Sequence, residues 1–288
     1  MSKRNEGLIL AFLTFFLWGV FPVYFKFIDG VGAAQVLAHR IVWSFALLFG
    51  FLWFSDKLSN VRRLLRVRKV ALNLLLTGCL ISSNWGIFIY AVNEGRILET
   101  SLGYFINPLF SILLGAIFLR ERLSINAKIA ALIVAVAIGV QIYALGELPL
   151  ISLVLPASFA LYGLVRKKVS VPSFEGLFIE TSLVLPFALA YLVYVCVSGA
   201  NAFKFDLNGA LLFFSGFVTI APLLLFTAAA RRLPLSTVGF MQYLSPSISM
   251  LIAVFIYGES LDFYKLLSFI LIWASLALAG LGSIRKKK

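Results

Sequence analysis

The sequence predicts an all-α membrane protein: ten transmembrane helices built as two inverted five-helix repeats, with both termini cytoplasmic. Three observations predict it. First, 61% of the 288 residues are hydrophobic and 13% charged, with a mean hydropathy of +1.01, too little polarity to cover a surface in water. Second, one proline-to-glutamate spacing occurs twice, from Pro108 to Glu121 and from Pro246 to Glu259, at an offset of 138. The same offset carries Phe88 onto Phe226, Ala91 onto Ala229, Phe105 onto Tyr243, Asn107 onto Ser245 and Ser111 onto Ser249. Each copy holds five apolar runs, and an odd number of spans forces the second copy into the bilayer upside down. Third, the cations alternate from loop to loop.

Runs of roughly 20 apolar residues, enough to cross about 30 Å of hydrocarbon, follow one another along the chain. Residues 8–28 come after Lys3 and Arg4; the run is too long for a signal-peptide core and lacks a small-residue cleavage signal, so a retained helix is expected. Residues 33–54 are apolar apart from His39, Arg40 and a few neutral polar groups, and residues 70–91 carry Cys79, Asn84 and Trp85. Residues 97–119 open near Glu99 and hold Tyr104, Asn107 and Pro108. Residues 126–145 repeat a small residue every fourth position, at Ala127, Ala131, Ala135 and Gly139, a stripe suited to close packing in the scaffold or in a dimer. The second copy runs through 149–165 with Pro156 and Tyr162, 174–198 with Glu180 and Pro186, and 207–229 with Pro222. It ends with 235–257, holding Gln242, Tyr243 and Pro246, and 263–283, with small residues at Ser275, Ala279 and Ser283. No soluble domain is left over, and the two repeats are set at 1–145 and 146–288.

The net charge of +13 could suggest nucleic acid, but the placement of the cations argues against it. Twenty of the 25 lie at the amino end, at Lys57 to Lys69, at Arg120 to Lys128, at Arg166 to Lys168, at Arg231 and Arg232, and at Arg285 to Lys288. The opposite loops hold only Arg96, Lys204 and Lys265. The positive-inside rule therefore puts both termini in the cytoplasm, and the basic connector Val61–Lys69 is expected to lie against anionic lipid headgroups. Cys79 and Cys196 fall inside spans and read as small buried apolar residues. One histidine and no cysteine cluster leave no zinc or haem site.

Charges within the bilayer are costly and so are candidates for function. His39 and Arg40 lie roughly 10 Å deep from the outer side, with Lys26 and Glu99 near the outer ends of spans one and four. If those spans are neighbours, two cations face one acid, and the surplus suits an anionic group such as a carboxylate. The alternative is structural: Arg40 and Glu99 pin two helices as an ion pair, Lys26 snorkels and His39 packs. Glu180 is the one acid in the inner half, a candidate proton-coupling carboxylate or a helix-pairing acid; His39 is a second candidate for proton transfer.

Rings and amides form a second set. Trp18, Trp43, Asn84, Trp85, Tyr104, Asn107, Tyr162, Gln242 and Tyr243 fall in or near span interiors, and together they suit a wall for a small amphipathic ligand. Each alone is equally a packing or belt residue. Pro108 and Pro246 are symmetric and, with Gly103 and Gly239 before them, predict bends in spans four and nine that serve as hinges or as packing kinks.

The duplicated span with its proline and terminal Arg-Glu-Arg or Gly-Glu resembles the EamA repeat of the drug/metabolite transporter superfamily over nearly the whole chain. More narrowly, Trp18-Gly19 with Tyr24-Phe25-Lys26, His39-Arg40 with Trp43-Ser44, Ser101-Leu-Gly-Tyr-Phe-Ile-Asn-Pro108, Tyr162-Gly-Leu-Val-Arg-Lys-Lys168 and Gly239-Phe-Met-Gln-Tyr243 are similar to its RarD branch. The resemblance implies a bacterial inner-membrane protein with a central cavity between two inverted halves, in a superfamily whose members carry amino acids and other small metabolites.

These readings lead to a secondary carrier for a small amphipathic metabolite, amino-acid-like or carboxylated, with export ahead of import. The alternative is a passive channel, though no charged ring or carbonyl filter is visible. A membrane-embedded enzyme would need a paired acidic cluster or a second histidine, and neither is present. The chain lacks the G-x-x-x-x-G-K-[ST] nucleotide loop, so energy must come from gradients or exchange. No cofactor is expected, the partners are the substrate and membrane lipids, and the protein is a monomer or a homodimer.

Overall fold

The computed structural model describes residues 3–28, 30–119, 125–146, 148–169, 171–230, 232 and 241–285. They form eleven α-helices: α1 Lys3–Lys26, α2 Ala33–Phe54, α3 Leu58–Leu65, α4 Arg68–Asn93, α5 Ile97–Leu119, α6 Ile125–Leu145, α7 Leu150–Lys168, α8 Ser173–Val197, α9 Leu207–Ala230, α10 Leu244–Phe255 and α11 Phe263–Arg285. No strand occurs among the described residues. Five helices, α1, α2, α4, α8 and most of α9, are long and apolar enough to cross a membrane. The expected ninth span, 235–257, is described from residue 241 onward, and Glu121, Arg231 and Gly239 lie outside the described residues.

The helices pack mainly across the two halves. α1 lies on α9 and α10, and their counterparts repeat the arrangement, with α7 on α4 and α5. α2 lies on α8 and α9, and correspondingly α8 lies on α2 and α4. Three pairs, α2–α8, α5–α10 and α6–α11, bring a helix against its own counterpart. The packing is thus unchanged when the halves are exchanged, and Phe105 stacks on its repeat partner Tyr243 at 6.3 Å between ring centres, 13° from parallel. The short α3, which has no counterpart, plugs Val61 into a core with Leu48, Leu52, Leu74 and Phe178 while Arg62, Arg63, Arg66, Arg68 and Lys69 stay exposed.

Two glycines on the 138 offset bring helix backbones together. A Cβ on Gly216 of α9 would stand 2.6 Å from the Trp43 carbonyl carbon and 2.8 Å from the Ser44 nitrogen, and one on Gly78 of α4 would stand 3.0 Å from the Glu180 carbonyl oxygen. Backbone therefore meets backbone at α9–α2 and again at α4–α8, contacts that only a missing side chain permits.

Several expectations are corrected. Cys79 and Cys196 are exposed, not buried; they sit on outward faces of α4 and α8, where lipid takes the place of protein cover. Two members of the small-residue stripe of α6, Ala135 and Gly139, are exposed, whereas Ala130, Val134 and Ala137 are buried, with Ser268 of α11 donating to the Ala137 carbonyl. The helix before Pro246 is interrupted at Tyr243, so Pro246 falls in the first turn of α10, where a missing N–H costs nothing. The Pro108 backbone is helical within α5, and its side chain lies outside the described residues.

Candidate functional site

The four outer charges do not gather. Glu99 takes two bonds from Arg96, at 2.6 and 2.8 Å, because three residues' separation puts both on one face of the first turn of α5. Lys26 closes the carboxyl end of α4 by donating to the Val92 and Asn93 carbonyls at 3.1 and 3.0 Å, a favourable place for a cation. His39 stacks on Phe203 at 5.1 Å, and neither of its ring nitrogens has a partner among the described residues. Gln35, a turn earlier, holds the same loop by bonding the Ala200 carbonyl and the Ala202 amide.

Arg40 goes inward alone. It is 3% exposed, and its Nε donates to Thr219 Oγ1 at 2.6 Å, twelve residues down α9. Its guanidinium lies 4.2 Å from the Trp85 ring centre, 5.4 Å from Phe25 and 5.9 Å from Phe21. Among the described residues no carboxylate forms an ion pair with it, so the expected Arg40–Glu99 pin does not form. Aromatic faces stabilise such a cation without neutralising it.

Asn84 joins three helices beside this site. Its amide donates to the Leu155 carbonyl and Ser158 Oγ of α7, and Tyr104 of α5 donates to its carbonyl oxygen. The remaining ring candidates separate. Trp18 packs with Phe15 and Phe226, and Trp43 packs with Phe213 and Phe203 while its indole N–H goes unpartnered among the described residues. Tyr243 stacks on Phe105, Gln242 is half-buried beside it, and Asn107 is buried with its carbonyl oxygen unpartnered among the described residues. Tyr24, from the motif in α1, bonds the Leu211 carbonyl of α9.

A second charged group lies between α7, α8 and α4. Glu180 is fully buried, accepts from Thr77 Oγ1 at 2.7 Å and from the Tyr162 hydroxyl at 3.4 Å, and lies 3.5 Å from Arg166 Nε. Arg166 is the correction here: counted by sequence among the cytoplasmic loop cations, it ends α7 with its side chain turned inward. Gly176 makes the space, since a Cβ there would fall 2.2 Å from Arg166 Nη1.

Sequence reasoning missed Thr77, Arg166, Gly176 and Thr219. One signal was available: Arg40 and Glu180 are 140 residues apart on counterpart helices. Each bonds a threonine, Thr219 on α9 or Thr77 on the counterpart α4.

A helical membrane protein of two interlocked halves, with charges buried between them, is the architecture of a transporter, and comparison with known proteins agrees. The model of the EamA-like transporter family matches residues 5–143 and 148–281. Protein RarD of Salmonella typhi is 44% identical over 294 residues, covering 99% of both chains, and the uncharacterized transporter YojE of Bacillus subtilis is 40% identical over 293 residues, covering 100% of this chain and 97% of its own. One solved structure, titled only as the crystal structure of a protein, superposes with a TM-score of 0.64 at 16% identity over 96% of this chain and 98% of that one, a likeness of fold. The chain belongs to the EamA-like transporter family, in its RarD branch.

Proposed function

We propose that the protein is a secondary carrier of the bacterial inner membrane, not an enzyme, that moves a small amphipathic metabolite bearing a carboxylate, amino-acid-like in size, by alternating access between its two inverted halves. The observation that carries this reading is Arg40. A buried guanidinium with a neutral partner at Nε and rings around it retains its full charge, and a planar carboxylate is the anion whose two oxygens fit a guanidinium edge. Phe21, Phe25 and Trp85 supply apolar walls for the rest of the molecule. Buried charge of this kind inside a membrane protein is characteristic of a substrate path.

The test is counterflow in proteoliposomes with the twenty amino acids and small monocarboxylates as probes. A carrier shows saturable counterflow, whereas a passive channel shows none. Arg40→Lys keeps the charge and loses the planar fork, so at least about tenfold in affinity should go, equivalent to about 1.4 kcal/mol. Wild-type transport in Arg40→Lys, together with failure of Arg40→Ala to insert, would show that the residue only holds the helices.

A further inference from the structure

Arg166 is under-satisfied where it lies. It is largely buried, its contact with Glu180 is a single 3.5 Å approach through Nε, and its Nη1 is buried with no partner among the described residues. A buried donor left unmade is costly, and charged donors most of all. Gly176 nevertheless leaves the room that keeps this guanidinium against α8. Glu180, by contrast, has partners beyond Arg166, in Thr77 and Tyr162. The acid therefore keeps a hydrogen-bonded seat whether or not the arginine attends to it.

We infer that Arg166 is a second carboxylate-binding cation on the substrate path and that Glu180 is its resident competitor, so that a proton on Glu180 and a substrate carboxylate on Arg166 bind together. The inference rests on the carboxylate-carrier reading and assigns its coupling. Trp85 beside Arg40 and Thr77 beside Glu180 stand eight residues apart on α4, about 12 Å along the helix, and that is the distance the substrate would cover between the two arginines. With Glu180 ionised, the acid holds Arg166 and repels an incoming anion. With Glu180 protonated, Arg166 keeps its charge, and the substrate's two oxygens can take its Nη1–Nη2 edge, where Nη1 has no partner among the described residues. A monocarboxylate then crosses with one proton, with no net charge moved. Loading from the same side makes the inward proton gradient drive accumulation, opposite to the export expected from the sequence.

The surroundings of Glu180 contain few other titratable groups. α7 supplies Arg166 and Tyr162, and α4 supplies the neutral Thr77. α2 faces α8 with Ala38, Ile41, Phe45 and Leu48. α3 presents Val61 with its arginines exposed, and α8 itself carries the buried Glu175 one turn earlier.

The experiment measures binding of the same amino acid and monocarboxylate probes to the full chain in lipid nanodiscs, from mildly acidic to mildly alkaline pH. In the wild type, Kd should fall about tenfold for each unit the pH is lowered, levelling once Glu180 is protonated. Glu180→Gln should bind at the tight, low-pH limit at every pH, and Arg166→Gln at the weak limit at every pH. Glu180→Asp, which still titrates, should keep the pH dependence and serves if the glutamine variant does not fold. Arg40→Lys should weaken binding equally across the range, which separates the two readings. Probes that bind with pH-independent affinity, or a pH dependence that survives in Glu180→Gln and so belongs to another group such as His39, would overturn the coupling while leaving the carrier intact. Absence of binding by any probe would overturn the carboxylate reading and this inference with it.

Discussion

Replacing Gly216 by alanine tests the close approach of α9 to α2. The added methyl would lie 2.6 Å from the Trp43 carbonyl carbon and 2.7 Å from its Cβ, against an ordinary contact of about 3.5–4.0 Å, so the helices must part by roughly 1 Å. The obstruction is backbone and cannot swing aside. Overpacking of this kind costs about 1–3 kcal/mol. If the movement also takes Thr219 out of reach of Arg40, the loss of a buried bond to a charged group adds about 1.5–3 kcal/mol. Gly139→Ala is the control, because no atom lies within 4 Å of a Cβ there and alanine in place of a helical glycine stabilises by up to about 1 kcal/mol. Thermal denaturation in detergent should therefore move down for Gly216→Ala and stay level or rise for Gly139→Ala. Gly78→Ala, with its nearest contact at 3.0 Å, should fall between them. Equal melting temperatures for Gly216→Ala and Gly139→Ala would refute the argument that this glycine sets the spacing.

Two further outcomes are expected. Glu259, in the loop after α10, accepts from the Ile97 and Leu98 amides at 2.6 and 2.8 Å; burial pushes its carboxyl above the usual carboxylate range despite those donors and Lys265, with Glu99 adding to the rise. The stability tied to its protonated form is present below the ordinary glutamate pKa and is lost as pH rises through the raised value, so a melting curve followed over pH should lose that component in Glu259→Gln, and an unchanged profile would count against it. A cysteine introduced at Asn60, beside the exposed arginines of α3, should resist an impermeant reagent applied to intact cells, and efficient labelling from outside would invert the proposed orientation.

The repeat, the helical class and the charged positions were all legible in the sequence, since hydropathy and a fixed offset are properties of the chain alone. Partners were not. Arg40 meets Thr219 from 179 residues away, and a threonine in an apolar helix carries no mark of what it will bond. Arg166 read as a loop cation because it stands beside Lys167 and Lys168; only the space left by Gly176 shows that it turns inward. Lys26, Glu99 and Arg40 share a depth in the sequence, but depth says nothing about azimuth around a helix: the neighbouring Arg96 claimed Glu99, and the carboxyl end of α4 claimed Lys26. Cys79 and Cys196 were misread because a bilayer removes the usual equation of apolar with interior.

The pairing of helices across the halves has a consequence for how such a molecule can exist at all. Neither half of the chain holds its own closest neighbours: α1 needs α9 and α10, and α7 needs α4 and α5. A chain cut between α6 and α7 should therefore yield two pieces that are unstable apart yet reassemble when made together. Because α2, α5 and α6 each lie against their own counterparts, two copies of one such piece can form the same set of helix pairs. The covalent link between the halves then adds no contact to the fold; it fixes their ratio, and it frees the two to diverge, so that a cation could settle at position 40 and an acid at position 180.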